Sequence, residues 1–214
     1  MARRLENIVP LIIQLFYNEN KIIIMKKGLL AIALLIASTV FAAVTQWTND
    51  KAHSQLQFTV THLGISDVSG TFNDFDVKVN ATAADFSDAV FELTAQVASI
   101  DTRVEARNNH LKSADFFDAE KYPAITYKST AIKKKGKNKY KLTGDLTIHG
   151  VTKSVTMDLL YRGKLIDEET GKETVGFQLT GKINRSDFNV GPGFPEPMIS
   201  DLVRIKADGE FVKQ

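Results

Sequence analysis

The sequence contains no cysteine among its 214 residues. This absence excludes disulfide frameworks, thiolate zinc sites, cysteine nucleophiles and iron–sulfur clusters, because each of them requires a cysteine sulfur. Proline and glycine are also sparse, at 5 and 13 residues, and 43% of the chain is hydrophobic. These proportions are typical of a globular protein and exclude collagen-like repeats and wholesale disorder.

An excess of one charge is missing as well. The formal net charge is +2, but residues 1–42 carry five basic and two acidic side chains, which leaves a net charge of −1 on the other 172 residues. A nucleic-acid-binding domain normally presents a strongly basic surface. We therefore expect no nucleic-acid partner.

The N-terminal region has the pattern of a secretory signal peptide. A short basic stretch at 25–27 precedes an apolar run at 28–37, and small residues lead to a cleavage site after Ala42. The run is shorter than the about 20 residues of a membrane-spanning helix, so a membrane anchor is the weaker alternative. Because a signal peptide normally begins a protein, we predict that translation starts at Met25. The predicted organisation is a mis-assigned extension at 1–24, a signal peptide at 25–42 and one folded domain at 43–214.

A two-residue period dominates the sequence after residue 43. Apolar and polar side chains alternate over 52–61 and again over 140–149, which is typical of strands with one buried face. A one-residue phase change at Asn73–Asp74 predicts a bulge. Only the segment 103–121 fits a short helix better than a strand.

The lack of other helices constrains the fold. A sheet with one apolar face must be covered, so here it must close or fold over on itself. The sequence therefore predicts an all-β protein, an antiparallel barrel of about eight strands with one short helical insertion. A sandwich and a membrane barrel are the alternatives.

The inward faces of the predicted strands are the strongest functional signal. A packed interior and a lined cavity use the same residue types, so both interpretations stay open at this point. Small residues at the inward positions Gly144, Gly181, Ala95 and Ser129 favour spare volume. The predicted cavity-lining set is Leu56, Phe58, Val60, Phe72, Phe91, Leu93, Tyr127, Leu142, Leu146, Met157, Leu159, Phe177 and Leu179.

A few polar residues are candidates for contact with the head group of a ligand. Guanidinium groups bind phosphates and carboxylates through paired donors, and the alternative for each arginine is a structural ion pair with a neighbouring aspartate. The candidate head-group contacts are Arg103, Arg107, His110 and Arg185.

The sequence offers little for catalysis. The histidines His53, His62, His110 and His149 show neither H-x-x-x-H nor H-x-H spacing, and no serine stands in a G-x-S-x-G elbow. No glycine-rich phosphate loop is found either. We expect no catalytic residue, no metal and no cofactor, and a histidine-dependent or metal-dependent enzyme is the alternative.

Five lysines mark the tip of a predicted hairpin at 133–139. They could contact an anionic membrane surface, to which each lysine contributes about 1 kcal/mol. The alternative is a solvated tip that discourages strand-to-strand aggregation.

Several short motifs occur together in a fixed order. They are DKAHS (50–54), FTVTHLG (58–64), GTF (70–72), HLKSADFFD (110–118), KYP (121–123), GDLTIHGVTK (144–153) and NRSDF (184–188). In this order they resemble the YceI family of bacterial periplasmic and secreted lipid-binding proteins, over essentially all of 43–214. Two features are distinctive: Asn108–Asn109 stands where members often have a charged pair, and 191–197 is rich in glycine and proline.

The resemblance implies a lipocalin-like barrel with an elongated apolar cavity for polyisoprenoid chains or other long amphiphiles, such as fatty-acid derivatives. No catalytic residues are established for that family. We therefore expect a periplasmic protein that binds and sequesters or carries an isoprenoid or acyl lipid without bond chemistry. We expect a monomer or homodimer, with transient membrane contact as an option. A stress-related structural or interaction protein with a filled barrel is a further alternative.

Overall fold

The computed structural model describes residues 14, 17–19, 21–22 and 43–214. The chain divides into two compact units, Met1–Ala42 and Ala43–Gln214, and the described residues of the first are helical. The predicted signal peptide at 25–42 lies outside the described residues, as does most of the predicted extension. In the part of the chain that is described, no helix has the length and hydropathy needed to cross a membrane.

The second unit consists mainly of antiparallel strands. The strands are β1 (Thr45–Asn49), β2 (Gln55–His62), β3 (Ser66–Phe72), β4 (Phe75–Ala81), β5 (Val90–Gln96), β6 (Ile100–Asp101), β7 (Ala124–Gly136), β8 (Lys139–Ile148), β9 (Val151–Ile166), β10 (Glu173–Asn184) and β11 (Leu202–Lys213). The α-helix α1 (Glu105–Lys112) falls inside the segment predicted to be helical. Short 3-10 turns lie at Lys51–His53, Val97–Ser99 and Arg185–Phe188.

The sheet closes into a barrel because β1 pairs with β4 on one side and with β11 on the other. Between them the order is β4, β5, β7, β8, β9, β10, β11, with each pair antiparallel. β2 continues β1 after the turn at Lys51–His53, and β3 leads into β4 through Asn73–Asp74, where the phase change was predicted. Each of these pairs forms one bent strand. The predicted eight-stranded antiparallel barrel is therefore confirmed.

Alternation along the strands places apolar side chains inside the barrel. In β8, residues at the even positions from Tyr140 to Ile148 are buried, whereas their odd-numbered neighbours are partly or fully exposed. Successive side chains of a strand point to opposite faces, so this register places one complete face in the interior. The β9 partners Met157 and Leu159 meet Leu142 and Tyr140 across the ladder and are also buried.

One end of the barrel is closed, and we call it the floor. Phe86, in the turn between β4 and β5, is 4% exposed. Its ring centroid lies 5.7 Å from that of Trp47, 5.1 Å from Tyr161 and 5.0 Å from Phe177. The same turn accepts a hydrogen bond at the Asp85 carbonyl from the Tyr140 hydroxyl. A cluster of aromatic rings therefore seals this end.

The opposite end carries the connections that project beyond the strands, and we call it the mouth. It comprises the β2–β3 turn at 63–65, the segment 102–123 with α1, and the loop 189–201. The Leu63 amide donates to the Met198 carbonyl over 3.2 Å, and the Ser200 amide donates to the Thr61 carbonyl over 2.9 Å. These bonds hold the long glycine- and proline-rich loop against β2.

Candidate ligand-binding cavity

The barrel encloses a cavity of about 430 Å³ between the floor and the mouth. All thirteen residues of the predicted cavity-lining set lie in its wall. A filled barrel, which the sequence left open, is inconsistent with this space. Ligand pockets in proteins typically measure about 300–1,000 Å³, so the volume suits a small or chain-like ligand.

The wall also contains residues that the predicted set did not include. From the strands they include Phe75 and Val77 in β4 and Ile205, Ala207 and Phe211 in β11. Their alternation continues the pattern that predicted the others, so the same signal was available for them. The mouth adds further apolar residues, which no strand period could indicate: Leu111, Phe116, Phe117, Phe188, Val190, Phe194, Met198 and Ile199.

The expectation that small inward residues provide the spare volume is wrong for two glycines. A Cβ atom on Gly144 would lie 2.6 Å from Cζ of Tyr127, and one on Gly181 would lie 2.8 Å from Cγ of Met157. The larger neighbours already occupy the space. The Ser129 hydroxyl accepts a hydrogen bond from the Phe91 amide over 2.8 Å, so it serves the barrel wall. Gly144, Gly181 and Ser129 are therefore not the source of the cavity's volume.

An aromatic cluster stands at the mouth. The Phe116 and Phe194 rings stack with centroids 4.6 Å apart, and the His110 ring lies 5.0 Å from the first and 5.3 Å from the second. Nε2 of His110 lies 3.1 Å from a carboxylate oxygen of Asp115. Since His110 is exposed and lines the cavity, this cluster borders the opening.

The three candidate arginines occupy different positions. Arg107 lines the cavity, and its Nε and Nη2 donate to the hydroxyl and the carbonyl of Thr102 over 2.8 and 2.6 Å. Within the described residues Arg107 has no carboxylate partner. Arg103 is exposed and is absent from the cavity wall. Of the two, only Arg107 is placed to meet a molecule in the cavity.

Arg185 lies in the wall, but its donors are occupied. Its guanidinium donates to the carbonyls of five residues in the two halves of the loop 189–201: Val190, Gly191, Phe194, Ile199 and Ser200. An arginine has five N–H groups. This arrangement favours the structural alternative for Arg185, with carbonyl oxygens as partners in place of the aspartate considered from the sequence.

Asn108, at the site of the departure from the usual charged pair, also has a structural role. Its Oδ1 accepts from the amide and the hydroxyl of Thr102 over 2.8 and 2.6 Å, and its Nδ2 donates to Asp101 over 3.1 Å. These bonds fasten α1 to the end of β6. They also position Thr102, which in turn holds Arg107.

Tyr127 places a polar atom among the apolar wall residues that strands β5 and β7 to β10 contribute. The residue is 7% exposed, and within the described residues its hydroxyl has no hydrogen-bond partner. Burial raises the pKa of Tyr127 to about 12, with a smaller contribution from the negative charge of Asp145. The phenol therefore remains neutral throughout the physiological pH range.

The histidines do not converge on one site. His62 and His110 line the cavity, whereas His53 and His149 do not. The structure does bring His53 together with Asp50 and Glu210, whose potential ligand atoms lie within 4.8 Å of one another. This exposed group lies outside the cavity, and sequence spacing did not indicate it. The hydrogen bond that Nδ1 of His53 donates to the Asp50 carboxylate raises the pKa of His53.

Comparisons with known proteins agree with the geometry. Residues 47–211 match the family of YceI-like domains. A UPF0312 protein of Staphylococcus aureus (strain N315) is 38% identical over 168 residues, which cover 78% of this chain and 94% of that protein.

Solved structures show the same architecture. BcnA of Burkholderia cenocepacia has a TM-score of 0.68 at 30% identity, and the match covers 76% of this chain and 98% of that chain. A polyisoprenoid binding domain from Saccharophagus degradans, implicated in plant cell wall breakdown, has a TM-score of 0.60 and covers 80% of this chain and 100% of that chain. At 15% identity, this second likeness shows a shared fold alone.

Proposed function

This chain belongs to the family of YceI-like domains, and from that premise we propose that it binds a long-chain amphiphile, of the polyisoprenoid or fatty-acid class, inside the barrel. The observation that carries the proposal is the apolar cavity of about 430 Å³. The binding domain with the same fold in Saccharophagus degradans, which is described as binding polyisoprenoids, supports this ligand class. The proposed role is sequestration or carriage, without bond chemistry.

The length of the ligand follows from the energetics of burial. Each buried methylene contributes about 0.8 kcal/mol, whereas association costs at least about 4 kcal/mol, and micromolar affinity corresponds to about 8 kcal/mol. A chain of roughly 15–20 buried carbons therefore reaches micromolar affinity without a strong polar anchor. This estimate favours long acyl or isoprenoid chains over small hydrophobic molecules.

We assign the head group of the ligand to the mouth. Arg107 offers a half-buried cation in the cavity wall, and His110 stands at the opening beside Asp115. A guanidinium group binds phosphate and carboxylate oxygens through charge-assisted hydrogen bonds. An anionic head group beside Arg107, with the chain directed toward the floor, satisfies both the charge and the apolar wall.

The location that we propose is the periplasm. Support comes from the signal-peptide pattern at 25–42 and from the absence of cysteine, which leaves folding independent of the redox state of the compartment.

The test is to identify what the purified protein carries. Native mass spectrometry and organic extraction of the wild type should reveal a bound amphiphile. Phe91→Trp and Leu146→Trp add volume to the cavity wall and should each eliminate it, whereas Thr94→Trp, on the exposed face of β5, should retain it. Melting curves identify variants that are folded. Folded inward variants that retain as much lipid as Thr94→Trp would contradict binding inside the barrel.

A further inference from the structure

The inner wall has one polar position in an otherwise apolar region. Strands β5 and β7 to β10 contribute twelve residues to the cavity wall, and eleven of them are aliphatic residues, methionine or phenylalanine. The twelfth is Tyr127. Its neighbours across the ladder, Leu93 and Leu146, also line the cavity and offer no polar atom.

The hydroxyl of Tyr127 is not needed for packing. Cζ, the ring carbon that bears the hydroxyl, lies only 2.6 Å from the ideal position of a Cβ atom on residue 144. Because residue 144 is a glycine, there is room for the end of the ring. A phenylalanine ring would fill the same space. Because the hydroxyl has no partner in the described residues, it contributes no hydrogen bond to the barrel wall and is free to bond to a molecule in the cavity.

Its depth in the barrel separates this hydroxyl from the head-group position. β7 starts at Ala124 at the mouth end, and Tyr127 lies three residues further in, which is roughly 10 Å along the strand. A ligand held at the mouth by its head group would present only methylene groups to Tyr127. Such a ligand would leave the phenol unsatisfied in a dry apolar site.

We propose that Tyr127 is a specificity-determining contact, and that the ligand carries an oxygen function within the barrel which accepts a hydrogen bond from its hydroxyl. This inference rests on the proposed function, since it requires a chain-like ligand in the cavity. It defines the class more narrowly: an amphiphile with a carbonyl, ether or hydroxyl oxygen at the depth of Tyr127, and not a plain hydrocarbon chain. The phenol is neutral, as its raised pKa shows, so it donates at physiological pH.

The test uses hexadecanoic acid and a series of hexadecanoic acids with one ketone at successive positions along the chain. Binding of each probe to the delipidated full-length protein is measured by calorimetry. For wild type, one ketone position should bind about 3- to 10-fold better than the other positions, as expected for one hydrogen bond. Tyr127→Phe should lose this maximum, so that no ketone position is preferred over the others.

Tyr161→Phe is the matched control, because Tyr161 lies at the floor and outside the cavity wall. It should retain the maximum. In the delipidated state, Tyr127→Phe should melt no lower than wild type, since the hydroxyl that it removes makes no hydrogen bond to the barrel.

The outcomes separate the inference from the function on which it rests. A maximum that persists in Tyr127→Phe, or the absence of any maximum in wild type, would overturn the inference while binding of plain hexadecanoic acid still supports the proposed function. No saturable binding of any probe by folded wild type would overturn both.

Discussion

Gly144 shows how a residue without a side chain can determine the geometry of the cavity wall. A Cβ atom here would lie 2.5 Å from the Lys128 carbonyl oxygen, 2.6 Å from Cζ of Tyr127 and 2.7 Å from Cα of Ser129. Two of these three atoms belong to the backbone of β7, which pairs with β8. Neither strand can give way easily inside a closed barrel.

Gly144→Ala should therefore destabilise the protein by about 1–3 kcal/mol, as is usual when extra carbon is forced into a packed site. Unfolding in urea, followed by the fluorescence of Trp47, measures the change. Gly136→Ala provides the control, because nothing lies within 4 Å of a Cβ there; its effect should stay within about 0.5 kcal/mol. Equal effects of the two substitutions would refute the steric explanation.

At the scale of elements, the strands were predictable because their signal is local. Alternation with a period of two placed thirteen side chains in the cavity wall, since each residue's face follows from that of its neighbours. The functions of Phe86 and Gly144 could not be predicted in this way. The contacts of Phe86 with Trp47 and Phe177 join segments that are distant in sequence.

The loop 189–201 depends on a single side chain in a similar way. Arg185 is 9% exposed and joins both sides of this loop through the five carbonyls that it binds. The sequence predicts either an ion pair or a head-group contact for this arginine. Backbone carbonyls carry no residue-specific signal, so no sequence pattern could have revealed them.

Arg185→Lys should destabilise the protein by about 3 kcal/mol or more, because a lysine has fewer donors and leaves buried carbonyls unsatisfied. In this variant, the amide of Ser200, which bonds to the Thr61 carbonyl, should exchange with deuterium faster than it does in wild type. The amides of β8 should show a smaller increase in exchange rate. Urea unfolding and hydrogen exchange provide the two measurements.

The control for this substitution is Arg162→Lys. Arg162 is half exposed and pairs with Asp208 at 3.5 Å, so its replacement should change stability by less than about 1 kcal/mol. If Arg185→Lys behaved like this control, the assignment of Arg185 as the anchor of the loop would fail.

At the scale of the whole barrel, the two ends differ in chemistry. The lysine-rich tip between β7 and β8 belongs to the floor, where Lys134 pairs with the Asp85 carboxylate at 2.6 Å. The hydrogen bond that the Lys134 ammonium donates to Asp85 lowers the pKa of Asp85 to about 2. The exposed apolar residues Leu63, Ile65 and Met198 belong to the mouth. A membrane bound by the lysines would therefore face the closed end and not the opening.

Replacing Lys133, Lys135 and Lys137 together with glutamine should change uptake of a fluorescent fatty acid from anionic vesicles of phosphatidylcholine and phosphatidylglycerol by less than about 2-fold, since electrostatic attraction acts only within about a Debye length, roughly 10 Å. Stopped-flow fluorescence measures the uptake rate. Ile65→Asp with Met198→Asp, at the mouth, should slow uptake markedly. A larger loss from the lysine variant than from the mouth variant would show that loading takes place at the other end.

Phe86 and its neighbouring rings close one end of the barrel, and this restricts how a ligand can enter and leave. A ligand must leave through the same mouth by which it entered, so one ligand has to leave before the next can bind. With a single opening, the barrel would be unable to contact two bilayers with its mouth at the same time if it carries lipid as proposed. The barrel would have to leave the donor membrane before its mouth contacts the recipient membrane. The rate of delivery would then depend in part on how often empty barrels collide with the donor membrane.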